Sequence, residues 1–253
     1  MTKHIIIKIG GSTLTNMHET IITDIKALRE LDIHPIIVHG GGPFINNALQ
    51  SHNIAPQFID GLRVTDEQTL DITRQTLLAD VNTAIVARFN QYNCHAIGLN
   101  GLDGQLFNIT PLNFKYGYVA EPSQLNTETL THLCSMFIPI ISSIGYNYDC
   151  NQFYNINADT LAYYMAASLK APIYVLSNTY GVIVNDKILS MLKTSDIDSC
   201  IASGDIYGGM IPKVREAQKA ISLGCSSVVI ACGATEHIIS NIYHNDFMGT
   251  VIS

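Results

Sequence analysis

The chain has 253 residues, 47% of them hydrophobic and only 14% charged, with a formal net charge of −7. That composition supplies a large core for one α/β domain or two modest lobes, and it excludes a disordered chain. The acidic balance also excludes nucleic acid as the main partner, because such binding needs a basic face that displaces counterions.

The first element is a run of β-branched residues, His4-Ile5-Ile6-Ile7-Lys8-Ile9, which reads as a buried strand ending in Gly10-Gly11. A lysine inside an isoleucine run is costly to bury, so Lys8 is expected at the strand's carboxyl end, facing an anion. In open parallel sheets that end is where ligands bind. A plain βα turn with a snorkelling lysine is the alternative on these residues alone. Ile21, Ile22, Ile25, Leu28 and Leu31 then recur at helical spacing. The strand over residues 33–38 ends in His39-Gly40-Gly41-Gly42-Pro43. Proline suits the first helical position, so the triglycine opens a helix whose amides point at whatever lies over the sheet.

Residues 57–65 read as a hairpin with Asp60-Gly61 as its turn, followed by one long helix over residues 66–92 and a strand over 95–99. Residues 100–122 are glycine-rich and aromatic and read as short surface strands. A helix from about 127 precedes a strand over 138–142, a polar hairpin over 147–154, and a helix that starts at 155–159 and runs to 170. The βα rhythm resumes with a strand over 173–176, a turn over 177–181 and a hairpin through Val184 and Ile188. Gly208-Gly209-Met210-Ile211-Pro212-Lys213 opens a helix to 223, and a strand over 227–231, a last helix and residues 250–252 close the chain.

Cys94, Cys134, Cys150, Cys200, Cys225 and Cys232 show no C-x-x-C and no Cys/His ligand spacing, which points to core thiols in a reducing cytosol. Met1-Thr2-Lys3 runs into the first strand with no room for a signal peptide, and no apolar run reaches membrane-spanning length. A cytoplasmic protein with no membrane or nucleic-acid partner is expected.

Glycine clusters thus accompany a cation or a helix start at Lys8/Gly10-Gly11, Gly40-Gly41-Gly42 and Gly208-Gly209/Lys213. None matches a G-x-x-x-x-G-K-[ST] phosphate loop or a G-x-G-x-x-G fingerprint, so phosphate handling here needs amides and lysines from separate elements. Asp159, at an apolar helix start, either serves the helix dipole or anchors lysines at a fixed separation. Arg63, just past a tight turn, is either a surface residue or a bidentate clamp on a carboxylate. No His/Asp or Cys/His nucleophile pair stands out, and His39 reads as a support for the triglycine turn.

Lys8-Ile9-Gly10-Gly11, His39-Gly40-Gly41-Gly42, Gly61-Leu62-Arg63-Val64-Thr65, Tyr154-Asn155-Ile156-Asn157-Ala158-Asp159 and Gly208-Gly209-Met210-Ile211-Pro212-Lys213 occur in the order seen in the amino acid kinase family. The chain resembles that family over essentially its whole length, and its acetylglutamate branch most closely. The resemblance implies an α/β fold with an open, mainly parallel central sheet sandwiched between helices in two lobes. Residues 1–170 would bind the acyl amino acid and dimerise, and residues 171–253 would bind nucleotide. It implies ATP-dependent phosphorylation of the side-chain carboxylate of N-acetyl-L-glutamate, the second step of arginine biosynthesis, with Mg²⁺ carried on the ATP rather than on a protein metal site. By analogy Lys8 and Lys213 neutralise the transferring phosphoryl group and Asp159 organises them. Gly41, Gly42, Arg63 and Asn155 hold the acyl amino acid, while Gly10, Gly11, Asn178, Gly181, Asp205 and Tyr207 serve the nucleotide and its phosphates.

Two departures from the family pattern stand out. Its Ser/Thr-Asp-Val turn reads Ser177-Asn178-Thr179, and the helix at Glu236-His237-Ile238-Ile239-Ser240-Asn241 lacks the usual Asp-Gly-Arg ending. Arginine-inhibited relatives carry an extra N-terminal helix that links dimers into a hexamer. With only Met1-Thr2-Lys3 ahead of the strand, the expectation is an arginine-insensitive homodimer. A kinase of a related acyl amino acid, such as an aminoadipate derivative, and a non-catalytic ligand-binding regulator are the competing readings.

Overall fold

A computed structural model describes residues 3–185 and 187–253; Met1 and Thr2, on which the leader reading rests, and Asp186, inside the expected hairpin, lie outside the described residues. The chain divides into two units, Met1–Pro35 with Ala162–Ser253, and Ile36–Leu161. Both are α/β, with mainly parallel main sheets flanked by helices.

In the first unit the strand Lys3–Ile9 pairs in parallel with Ile173–Ser177, which pairs in parallel with Val228–Cys232. The next strand, Gly249–Ile252, runs antiparallel, and Met191–Leu192 closes the edge parallel to it. Ile5, Ile6, Ile7 and Ile9 are all buried, as expected for a strand covered on both faces. The helix Thr20–Glu30 presents Ile21, Ile22, Ile25 and Leu28 to the core at the spacing read from sequence. Its buried Asp24 accepts from His237 Nδ1 at 2.9 Å and from the Ser240 amide at 3.2 Å, tying down the start of the helix Ile238–Tyr243. The hairpin Ile183–Val184/Lys187–Ile188 forms as expected.

In the second unit Ile37, Val38 and His39, at the end of the strand Ile33–His39, pair in parallel with Ile138–Ser142, which pairs in parallel with Ala96–Leu99. A smaller sheet joins Phe107–Pro111, Val119–Leu125, Gln152–Ile156 and Ile144–Asn147. The hairpin Phe58–Ile59/Leu62–Arg63 turns through Asp60 (φ 52°) and Gly61 (φ 79°). Positive φ at both central residues is the conformation that matches strand twist in a two-residue loop, and it is why Asp-Gly stands there.

The helix expected over 66–92 is not uniform. It begins as the α-helix Glu67–Gln75, becomes a π-helix over Thr76–Asn82, and resumes as Thr83–Gln91. Asp66 caps its start, accepting from the Thr69 amide at 2.8 Å. Several short elements, among them Gly11–Thr15, Met191–Leu192 and the helix Ile197–Ala202, were not expected. Among the described residues no helix is long and apolar enough to cross a membrane.

Candidate active site

Lys8 is the penultimate residue of the first strand, in register with Val175, and only 9% of it is exposed. Immediately beyond it the chain turns at Gly10 into a short helix, Gly11–Thr15, whose Thr13 and Leu14 amides bond the Gly10 carbonyl at 3.0 Å. A Cβ on Gly10 would stand 3.6 Å from Lys8 Nζ, in ordinary van der Waals contact, so the turn lies directly beside the ammonium. Lys8 therefore presents a compact charge from a rigid strand, next to a glycine turn.

The triglycine is shaped by packing. His39 is fully buried; its Nδ1 lies 3.0 Å from the Gly40 carbonyl and its Nε2 2.9 Å from Asn82 Nδ2. The carbonyl must accept and the amide must donate, so the ring is neutral with its proton on Nδ1. Burial pushes its pKa down to about 4. The Asn82 amide also donates to the Ile140 carbonyl at 2.9 Å, tying the π-helix, the triglycine turn and the neighbouring strand together. A Cβ on Gly41 would come within 2.7 Å of Leu77 Cδ2, in the same π-helix. A Cβ on Gly42 would meet nothing within 4 Å, so packing does not demand that glycine. His39 thus has the supporting part expected of it.

Neutral burial of His39 has a pH consequence. Its folded pKa lies below the unfolded value near 6.5, so this stabilisation is complete above that value and is lost as pH falls toward 4. The loss is about 2–3 kcal/mol between pH 7.5 and 4.5. Urea unfolding at the two pH values should show that component in the wild type and not in His39→Gln. An identical pH dependence in both would refute it.

Arg63 ends the small hairpin with only 8% of its surface exposed. Its Nη2 donates to Asn46 Oδ1 at 2.7 Å and lies 3.4 Å from the Gly42 carbonyl. Its Nη1 is buried without a hydrogen-bond partner, and burial pulls the guanidinium pKa down. The Phe58 ring, in the cross-strand position, stacks with its centroid 4.9 Å from Cζ. Asn155 Nδ2 donates to Thr65 Oγ1 at 3.2 Å, and Thr65 Oγ1 donates to the Arg63 carbonyl at 2.9 Å. Arg63, Asn155 and Gly42, three residues singled out in the sequence, thus belong to one network, and Gly41 adjoins it. A buried cation with an unused donor has the chemistry to receive an anionic group.

Asp159 lies in the first turn of the helix Ala158–Ser168, half-buried, and its amide bonds Asn157 Oδ1 at 2.8 Å. Asn157 also accepts from the Thr160 amide at 3.2 Å and so caps that helix. The first-turn position suits an acidic residue through the helix dipole, as one of the two sequence readings had it.

Later in the chain, Gly181, Asp205, Tyr207 and Lys213 line a single cavity of about 420 Å³. Lys213 is the fourth residue of the helix Met210–Ser222, where the dipole adds to its charge. Asn178 and Gly10 are not among that cavity's lining residues; Asn178 Oδ1 lies 3.5 Å from Thr13 Oγ1. The buried Thr250 accepts from the Val182 amide at 2.8 Å and donates to the Leu189 carbonyl at 2.6 Å, fixing the turn that follows Gly181.

Sequence reasoning passed over Asn46, Asn82 and Thr250, and took Thr65 only as the end of the Gly61–Thr65 motif. Asn46 alone carried a local signal, since it sits one turn beyond Gly42 on the helix that the triglycine opens.

Comparison with known proteins gives these features a context. The chain is 60% identical over 250 residues to acetylglutamate kinase from Staphylococcus aureus, covering 99% of this chain and 98% of that one. Its structure is similar to that of smu.665 from Streptococcus mutans, with a TM-score of 0.87 at 28% identity over 100% of this chain and 99% of that one. Carbamate kinase from Giardia lamblia bound to AMP-PNP shares the fold, with a TM-score of 0.70 at 14% identity over 99% and 98% of the two chains. The amino acid kinase family profile matches residues 3–232, and with that match over nearly the whole length the chain belongs to the amino acid kinase family.

Proposed function

We propose that this chain is an acetylglutamate kinase, transferring the γ-phosphoryl group of ATP to the side-chain carboxylate of N-acetyl-L-glutamate in arginine biosynthesis. The observation that carries the reading is Arg63, whose buried, unpartnered Nη1 calls for a carboxylate on the acyl amino acid. The 60% identity to the Staphylococcus aureus enzyme supports the same substrate.

The substrate's γ-carboxylate, with a reference pKa of about 4.3, is already ionised at neutral pH and needs no general base. One of its oxygens attacks the γ-phosphorus as the bond from phosphorus to the β–γ bridging oxygen breaks, giving an acyl phosphate and ADP. The task left to the protein is to bring two anions together and to stabilise charge. Lys8 and Lys213 supply that charge, and Asp159 orients their ammonium groups. Backbone amides of Gly11 and Gly41 receive phosphate oxygens. Gly10, whose own amide donates to the Leu176 carbonyl at 3.4 Å, shapes the turn beside them, and Gly41 and Gly42 line the acyl amino acid. Arg63 and Asn155 hold the α-carboxylate end. Asn178, Gly181, Asp205 and Tyr207 serve the nucleotide, for which the cavity around Gly181, Asp205 and Lys213 offers about 420 Å³.

In this reading residues 1–170 handle the acyl amino acid and residues 171–253 the nucleotide. Asp205 supplies a carboxylate to that cavity. Mg²⁺ is carried on the ATP phosphates, where it screens their charge. Six free cysteines among the described residues suit the cytoplasm. A homodimer would use the sheet edge at Ala96–Leu99, beside a cavity of about 450 Å³ lined in part by Leu78, Val86 and Ala87.

A coupled assay of ADP release with MgATP and N-acetyl-L-glutamate tests the assignment. Release that depends on the amino acid supports it, and background rates at saturating substrate reject it. Sedimentation equilibrium reading a monomer would reject the dimer alone.

A further inference from the structure

We infer that Asn46 and Phe58 are positioning residues that aim Arg63 Nη1 at the substrate's α-carboxylate; this rests on the acyl-amino-acid reading above. A guanidinium carries its donors in a rigid plane, so fixing one edge and one face fixes the rest. Asn46 Oδ1 takes Nη2 at 2.7 Å, and the Phe58 ring covers the guanidinium face at 4.9 Å. The second Nη2 contact, to the Gly42 carbonyl at 3.4 Å, is too long to hold the plane by itself. What remains is Nη1, buried and without a partner, as the donor offered to a ligand. Asn46 is a neutral acceptor, so it orients the guanidinium without neutralising the charge that the ligand needs. Both supports are built locally. Phe58 is the cross-strand partner of Arg63 in a hairpin set by its Asp60-Gly61 turn, and Asn46 rides the helix opened by the triglycine.

The test is steady-state kinetics and calorimetric binding of N-acetyl-L-glutamate to the full chain. Asn46→Ala is expected to raise the KM for N-acetyl-L-glutamate about tenfold, leaving kcat and the KM for ATP within about twofold, since it misdirects a uniform binding contact. The calorimetric Kd should weaken by the same factor. Phe58→Leu should give a smaller rise, about threefold, from loss of the stacked ring. Asn46→Gln, which keeps a neutral acceptor oxygen, should restore the KM to within about threefold of wild type; a purely structural lesion would show no such rescue. The inference is overturned if Asn46→Ala leaves the KM and Kd for N-acetyl-L-glutamate unchanged, if it raises both substrate KM values equally, or if Asn46→Gln is as impaired as Asn46→Ala. Should the alanine variant fail to fold, Asn46→Ser carries the same comparison. Wild-type protein that neither binds N-acetyl-L-glutamate nor releases ADP with it would instead reject the functional reading beneath the inference.

Discussion

Lys8→Arg is expected to lower kcat about 100- to 1,000-fold while leaving both KM values near those of the wild type, the scale seen when one preorganised charge-stabilising donor is lost from a site. Lys8 is held on the first strand with its ammonium beside the Gly10 turn, 3.6 Å from where a Cβ at that position would stand. A planar guanidinium does not reproduce that compact charge, although the formal charge is conserved. If Lys8 stabilises charge that develops on the transferring phosphoryl group, the loss falls on turnover rather than on ground-state binding. Initial-rate measurements over both substrates decide it. A rise in KM that accounts for the whole loss would remove Lys8 from the transition state.

Arg63→Ala is expected to act on the other parameter. Removing one partner of a buried charge pair costs about 2–5 kcal/mol, or at least about 30-fold in apparent affinity. The KM for N-acetyl-L-glutamate should rise by that factor or more, and the KM for ATP should stay within about twofold. The asymmetry follows from what surrounds Arg63: Asn46, Gly42, Phe58 and, through Thr65, Asn155. None of these lines the cavity around Gly181, Asp205 and Lys213. Equal changes in the two KM values would mean that Arg63 supports the fold rather than the substrate.

The features that sequence made legible are those with a local cause. The strand Ile138–Ser142 and the first strand follow from β-branched runs, and the turn at Asp60-Gly61 follows from backbone sterics at two residues. The π-helix over Thr76–Asn82 was not legible, because a seven-residue stretch with i→i+5 bonding leaves no period of its own against the 3.6-residue pattern on either side. It matters nonetheless, since it seats Leu77 against Gly41 and Asn82 against His39, 43 positions away in the chain. The strand Met191–Leu192 escaped for a simpler reason: two residues cannot display an alternation.

The candidate site divides the same way. Its residue types were legible, since few cations stand in this chain and a lysine among isoleucines or an arginine after a tight turn needs an anion. Which polar atoms are already satisfied was not legible. Only the packed structure shows that Arg63 Nη2 belongs to Asn46 while Nη1 is unused, or that Asp24 is committed to His237, 213 positions later.

By itself, then, the sequence determined the order and type of the main elements, the glycine turns that end the strands, and the cations set beside those turns. These depend on side-chain periodicity and on the φ/ψ freedom of single residues, which act over a few positions. The tertiary structure decided that Lys3–Ile9 lies beside Ile173–Ser177, that Lys213 shares a cavity with Asp205 and Gly181, and that one donor of Arg63 is buried without a partner. Those outcomes depend on which distant segments bury each other's apolar surface and satisfy each other's hydrogen bonds, a selection made by the whole chain at once.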